Sequence, residues 1–249
     1  MTEMEKAFKS LYDAFARYSR PQRITVCPCC TKPEATSHLT VGPLRELCFE
    51  DLADYSFSAM TTQGSVDDFR YVLPRLLQGI AEEPYSYNPE ILFGKLRYAN
   101  WTIWPVDEVS AVRTYLHALW VRGLTSFPLG QQLPAFFEIE TLLASIAQTG
   151  EALEPYLQVW SATRTEEADA HLIQFVTMFG AEFSDGRTLH EAFWTKAQSQ
   201  AESLRKWLLR LDTLRRIEHS AYLLRNDGFE HLFEPALKNL QHQSGTTES

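Results

Sequence analysis

The sequence predicts an all-α protein, either a multi-helix bundle or an irregular stack of antiparallel helix pairs, and three observations carry that prediction. Apolar residues recur at spacings of three and four along most of the chain, as a helix with one buried face requires, and period-two alternation is almost absent. Pro, Gly and capping residues divide these stripes into roughly nine or ten helices. With 249 residues and 45% apolar content, the chain can bury a full core unaided. A Cys/Pro-rich loop near the N-terminus is the one interruption of another kind.

Taken in order, Met4, Phe8, Leu11, Phe15 and Tyr18 form one stripe over residues 3–19, ended by Pro21. A short extended piece, 23–26, leads into a segment where Pro28, Pro33 and Pro43 exclude a long helix, so a structured loop or ribbon is expected there. Helical spacing resumes at Phe49 and places Leu52, Tyr55 and Ala59 on one side until Gly64 stops it. Ser65 and Asp68 read as a capping box before a helix that buries Val66, Phe69, Val72 and Leu73. Pro74 is expected to kink or break that helix.

Asn88 and Pro89 suit a cap and first turn for a helix to about Ala99, and residues 101–105 are expected to be extended. Asp107 opens a helix with Val109, Val112, Leu116, Leu119 and Trp120 inward. Pro128 and Pro134 bound a loop; Ile139, Leu142, Leu143 and Ile146 mark a helix that Gly150 terminates; Leu153, Tyr156, Leu157 and Trp160 mark another. Thr165 caps a helix facing inward through Ala168, Leu172, Phe175 and Phe179, and Thr188 with Glu191 forms a second box before Phe193, Trp194 and Ala197. One long last helix is expected from Leu204 through Trp207, Leu211, Leu214 and Ile217 to Leu224, closed by Asn226, Asp227 and Gly228. A single domain over residues 1–240 with a disordered tail over 241–249 is preferred to a boundary at 180–187.

Charge narrows the function classes. The net charge is -9, with ten acids against four bases over residues 50–108 and nine acids against Arg164 alone over 128–185. Nucleic-acid binding calls for a basic face, so this distribution argues against DNA or RNA and suits a basic protein partner. Apolar runs are far shorter than the ~20 residues of a membrane span, and no basic end precedes an apolar block at the N-terminus. A cytoplasmic protein with no membrane partner is therefore expected. All four cysteines stand between Cys27 and Cys48, unlike a disulfide framework, so they are expected to remain thiols or to hold metal.

Candidate sites follow from these residues. Cys27 and Cys30, in Cys-Pro-Cys-Cys, supply half of a zinc knuckle, and His38 with Cys48, or Cys29, would have to supply the rest. Because His38 and Cys48 are not a second tight pair, the expectation is against stoichiometric zinc, with the cysteines anchoring the loop. Glu166, Glu167 and Asp169 beside His171 include a two-ligand spacing, but acids after a Thr cap are better explained by the helix N-terminus. Trp101 and Trp104, with Arg97 and Tyr98, are the candidate apolar centre of an interface, and Glu138, Glu140, Glu166 and Glu167 its acidic surround. Arg205, Lys206, Arg210, Arg215 and Arg216 are expected on a solvated helix face. No phosphate loop, nucleophile elbow or kinase set is present.

The strings CPCC, PLREL and VDDFRYVLPRLL, within residues 25–80, resemble a family of uncharacterised bacterial proteins. That resemblance implies a bacterial cytoplasmic protein and nothing catalytic. It also implies a hydroxyl residue suited to an N-cap where this chain has Cys48, which weighs against a four-ligand zinc site. The reading is thus an acidic interaction module, immunity- or adaptor-like, with an enzyme assembled from several helices or a zinc-stabilised regulatory module as alternatives.

Overall fold

The computed structural model describes residues 1–82, 87–126, 138–180, 193–221, 233–235, 237–238 and 240–242. Among them the fold is all-α, with ten α-helices up to residue 220 and further helical residues at 233–235, 237–238 and 240–242. The only β pairing among the described residues is a pair of isolated bridges, Val26 with Gln63 and Ala59 with Gln63. No described helix is long and apolar enough to cross a membrane. The chain gathers into two compact units, Met1–Leu119 and Trp120–Ser249, with the division inside a helix.

In the first unit, α1 (Glu3–Ala14) starts on a capping box: the Thr2 hydroxyl accepts from the Glu5 N–H and the Glu5 carboxylate from the Thr2 N–H. It stops short of the expected 19, at Phe15, although Phe15 stays in the core at 3% exposure. The Cys/Pro-rich region forms short 3-10 turns at Pro33–Thr40 and Leu44–Glu46, after which α2 (Phe49–Ser58) begins at Cys48. Next, α3 (Val66–Glu82) opens on the expected box, with Asp68 Oδ2 accepting from the Ser65 N–H at 2.8 Å and Ser65 Oγ from the Asp68 N–H at 3.2 Å.

Pro74 does not break α3, which runs through it. Leu73, Leu76 and Leu77 are fully buried around it, and their burial outweighs the one backbone hydrogen bond a proline removes. Asn88 caps α4 (Pro89–Tyr98) as expected, its Oδ1 accepting from the Ile91 N–H at 2.8 Å. Residues 101–105 are not extended. Asn100 takes a left-handed conformation (φ 52°) and Trp101–Ile103 form a 3-10 turn into α5 (Val106–Leu124).

One charged residue of α5 lies wholly inside this unit. Glu108 accepts from the Tyr18 hydroxyl at 2.8 Å and lies 3.6 Å from Arg17 and 3.9 Å from Arg70, whose guanidinium stacks over Trp104. A carboxylate is tolerated there because two cations and a phenol surround it.

Past the division, the second unit holds the end of α5 and then α6 (Ile139–Gln148), α7 (Glu154–Ala162), α8 (Glu166–Phe179), α9 (Gln198–Leu208) and α10 (Leu211–Ser220). Gly150 ends α6 with φ 83°, and the Thr165 hydroxyl caps α8 by accepting from the Ala168 N–H. Trp160 is the hub of the core. Its ring meets Trp120, Phe175 and Trp207, and its Nε1–H donates to the Ala168 carbonyl at 2.9 Å.

The single long last helix expected from the leucine stripe is two. Arg210 adopts an extended conformation (φ -66°, ψ 139°) between α9 and α10, and Leu211 is exposed as a result. Nor is the basic run wholly solvated: Arg216 is buried and joins α10 to α8 and to the end of α7. Gln241 and His242 are helical, while Thr188, Glu191, Leu224, the Asn226 stop and residues 243–249 lie outside the described residues.

Candidate functional site

The densest grouping of reactive side chains is on the turn after the first extended piece. Cys30 and Thr31 both donate their N–H to the Cys27 carbonyl, at 3.2 and 3.0 Å, so residues 27–31 wrap into one tight turn. Pro28 stiffens its first corner. The turn is tied down from behind, because the Cys27 N–H donates to the Thr62 carbonyl at 2.8 Å and the Gly64 N–H to the Thr25 carbonyl at 2.7 Å. Gly64 suits that join, since its φ of 73° favours glycine and an added Cβ would stand 3.0 Å from the Tyr55 hydroxyl.

The turn brings the sulfurs of Cys27, Cys29 and Cys30 within 4.8 Å of one another, with Sγ separations of 2.9 Å for Cys27 and Cys29 and 3.3 Å for Cys29 and Cys30. Cys29 and Cys30 are exposed and Cys27 is half-buried. The hydrogen bond with Cys29 holds the Cys27 thiol below its usual range, and the same bond pushes Cys29 up to about 11. Of this pair, the charged form is favoured on Cys27 at the expense of Cys29.

This geometry brings together only part of the expected metal set. Cys27 and Cys30 do come together, but their third neighbour is Cys29; His38 and Cys48 belong to no such group among the described residues. The reason is local. His38 sits within the 3-10 turn Pro33–Thr40 and Cys48 is the N-cap of α2, so each is placed by its own element and not by the cysteine turn.

The expected interface is also redrawn. Trp101 and Trp104 are 0% and 6% exposed, so neither can be the surface centre assigned to them. Trp104 packs edge-on against Phe15 and donates its Nε1–H to the Ala99 carbonyl at 3.0 Å. What the turn presents outward instead is Ile103 and Val106, 83% and 85% exposed, next to Tyr98 at 61%. Spacing alone could not separate these from the tryptophans, because a 3-10 turn reverses which neighbours face the core.

Of the acidic residues, Glu138 and Glu166 are exposed and Glu167 is half-buried, but Glu140 is 6% exposed. Its helix, α6, is buried nearly all round and offers no solvated face. In addition, the glutamates stand in the second unit and the aromatic turn in the first. The open groove lined by Lys6, Lys9, Asp13 and Asp107 has its charges taken up in pairs: Lys6 with Glu3, Lys9 with Asp13, Arg17 with Asp107.

His171, the other candidate ligand, is 1% exposed and its Nε2–H donates to the Gly123 carbonyl at 3.0 Å. Burial pushes the imidazole down to about 4. The unfolded chain protonates this histidine below about pH 6.5 while the folded chain resists until about 4, so stability falls as the pH drops through that window. Between pH 7 and 5 the expected loss from this residue is about 2 kcal/mol. Urea midpoints at the two pH values, measured beside His171→Gln, check it; a wild-type change no larger than the variant's rules it out.

No protein-family model, curated protein or solved structure matches this chain, so its function is argued from its own residues.

Proposed function

We propose that the chain is a protein-interaction module, immunity- or adaptor-like, that binds a basic protein partner. The observation that supports this reading is the corner between α4 and α5, where Tyr98, Ile103 and Val106 are 61%, 83% and 85% exposed within one short stretch. Large apolar side chains grouped in water are a surface that a partner covers favourably. The buried Trp101 and Trp104 hold the backbone beneath them, so little ordering entropy is lost on contact. Net negative charge, with Glu138, Glu166 and Glu167 among its exposed or half-exposed carriers, would steer a basic partner.

Affinity capture with chemical cross-linking, using the full chain, tests the proposal. A partner of basic composition is expected, its binding weakened at least tenfold by Ile103→Asp with Val106→Asp. Its association should slow in high salt and on changing Glu138, Glu166 and Glu167 to Lys. Both sets of positions are on the surface, and circular dichroism checks that the fold is kept. Binding indifferent to both sets overturns the reading.

A further inference from the structure

We infer that Cys27, Cys29 and Cys30 form a three-thiolate site for a single thiophilic metal ion, with Cu(I) as the best match, distinct from the four-ligand zinc site that His38 and Cys48 would complete. Donor type is the first argument. The group contains three sulfurs and no nitrogen or oxygen, and soft thiolates select soft ions. Donor number is the second: zinc held structurally takes four protein ligands in a closed tetrahedron, whereas a monovalent soft ion is content with three sulfurs.

Geometry agrees with the donor chemistry. With metal–sulfur bonds of about 2.3 Å, three sulfurs around one ion stand about 4 Å apart. The three Sγ atoms already lie within 4.8 Å of one another, with two separations at 2.9 and 3.3 Å. Opening them around an ion takes rotation of the exposed Cys29 and Cys30 side chains about the half-buried Cys27. The turn itself is held by the Cys27 N–H to Thr62 and the Gly64 N–H to Thr25, so the site is organised before any ion arrives. Each thiol would release its proton to solvent as its sulfur takes the ion. With Cys29 and Cys30 at the surface, an ion there can be passed to another thiol ligand, as a transferable and not a structural metal would be.

The test uses the full reduced chain, stripped of metal and kept anaerobic, titrated with Cu(I) buffered by a competing chelator. A thiolate-to-metal charge-transfer band saturating at one ion per chain is expected, and Cys29→Ser should weaken binding at least tenfold, as Cys27→Ser and Cys30→Ser do. His38→Gln and Cys48→Ser should leave both stoichiometry and affinity unchanged. A second readout is alkylation followed by peptide mass analysis. Bound Cu(I) should protect Cys27, Cys29 and Cys30 while the exposed Cys48 stays reactive, an internal control that the chain provides. Absence of a saturating band, or equal loss from Cys48→Ser or His38→Gln, overturns the inference. So does a Cys29→Ser variant that binds as the wild type does.

Discussion

An Arg216→Ala variant is expected to lose about 3 kcal/mol of stability in the C-terminal unit, the low end of what breaking a buried ion pair costs. The guanidinium is 6% exposed and serves three acceptors: Asp169 Oδ1 at 2.5 Å and the carbonyls of Trp160 and Thr163, each at 2.7 Å. Removing it leaves Asp169 held only by the Ser220 hydroxyl among these partners and frees two carbonyls at the end of α7. Because the Asp169 side chain is 22% exposed, water recovers part of the loss, which is why the low end applies. Arg216→Lys should restore less than half, since an ammonium cannot span three acceptors as a planar fork does. Urea denaturation followed by circular dichroism measures both; a loss under about 1 kcal/mol for the alanine variant would mean that the carbonyls find other donors.

Trp160→Ala should cost more, about 4 kcal/mol, through the cavity it leaves. Its ring is fully buried, stacked on Trp207 at 5.1 Å between centroids and edge-on to Trp120 at 5.6 Å and Phe175 at 6.2 Å. Three aromatic partners lose contact together, and the Ala168 carbonyl loses its donor. Trp160→Phe keeps most of the volume and should cost about half as much. Equal losses for the two variants would place the stabilisation in the Nε1–H bond and not in packing. The two sites are neighbours, since Arg216 donates to the Trp160 backbone carbonyl, so a double variant should lose less than the sum.

Why some of this was legible in the sequence and some was not comes down to what periodicity measures. A stripe such as Val109, Val112, Leu116 and Leu119 states which face of a helix is apolar, and all four are buried. Caps are equally local, so Asn88, Thr165 and the Ser65–Asp68 box could be read from neighbours in the chain. Arg216 could not, because a charge is buried only when acceptors from other helices converge on it, and Asp169, Trp160 and Thr163 lie far away in sequence. The break at Arg210 was hidden for the opposite reason: the leucine stripe continues in register through it, and only Leu211 on the surface betrays the change of direction. In the candidate sites, the residue types could be read from the chain, but which of them come together in space could not. The Cys-x-x-Cys template picks out Cys27 and Cys30 but leaves open whether Cys29 or the downstream His38 and Cys48 joins them, and the turn brings Cys29 from between them. The tryptophan stretch was expected to be extended, but it forms a 3-10 turn that puts Ile103 outside and Trp101 inside.

The thiol turn is held by backbone that the chain supplies only after α2, at Thr62 and Gly64. During synthesis, therefore, Cys27, Cys29 and Cys30 emerge first and wait until Thr62 and Gly64 arrive and the loop closes. In that interval the turn does not set the spacing of the sulfurs, and a disulfide oxidant can join Cys27 to Cys29 or to Cys30 through ordinary thiol exchange. The order of the chain thus leaves these thiols unplaced until Gly64 has been made, and a reducing medium over that interval keeps them free.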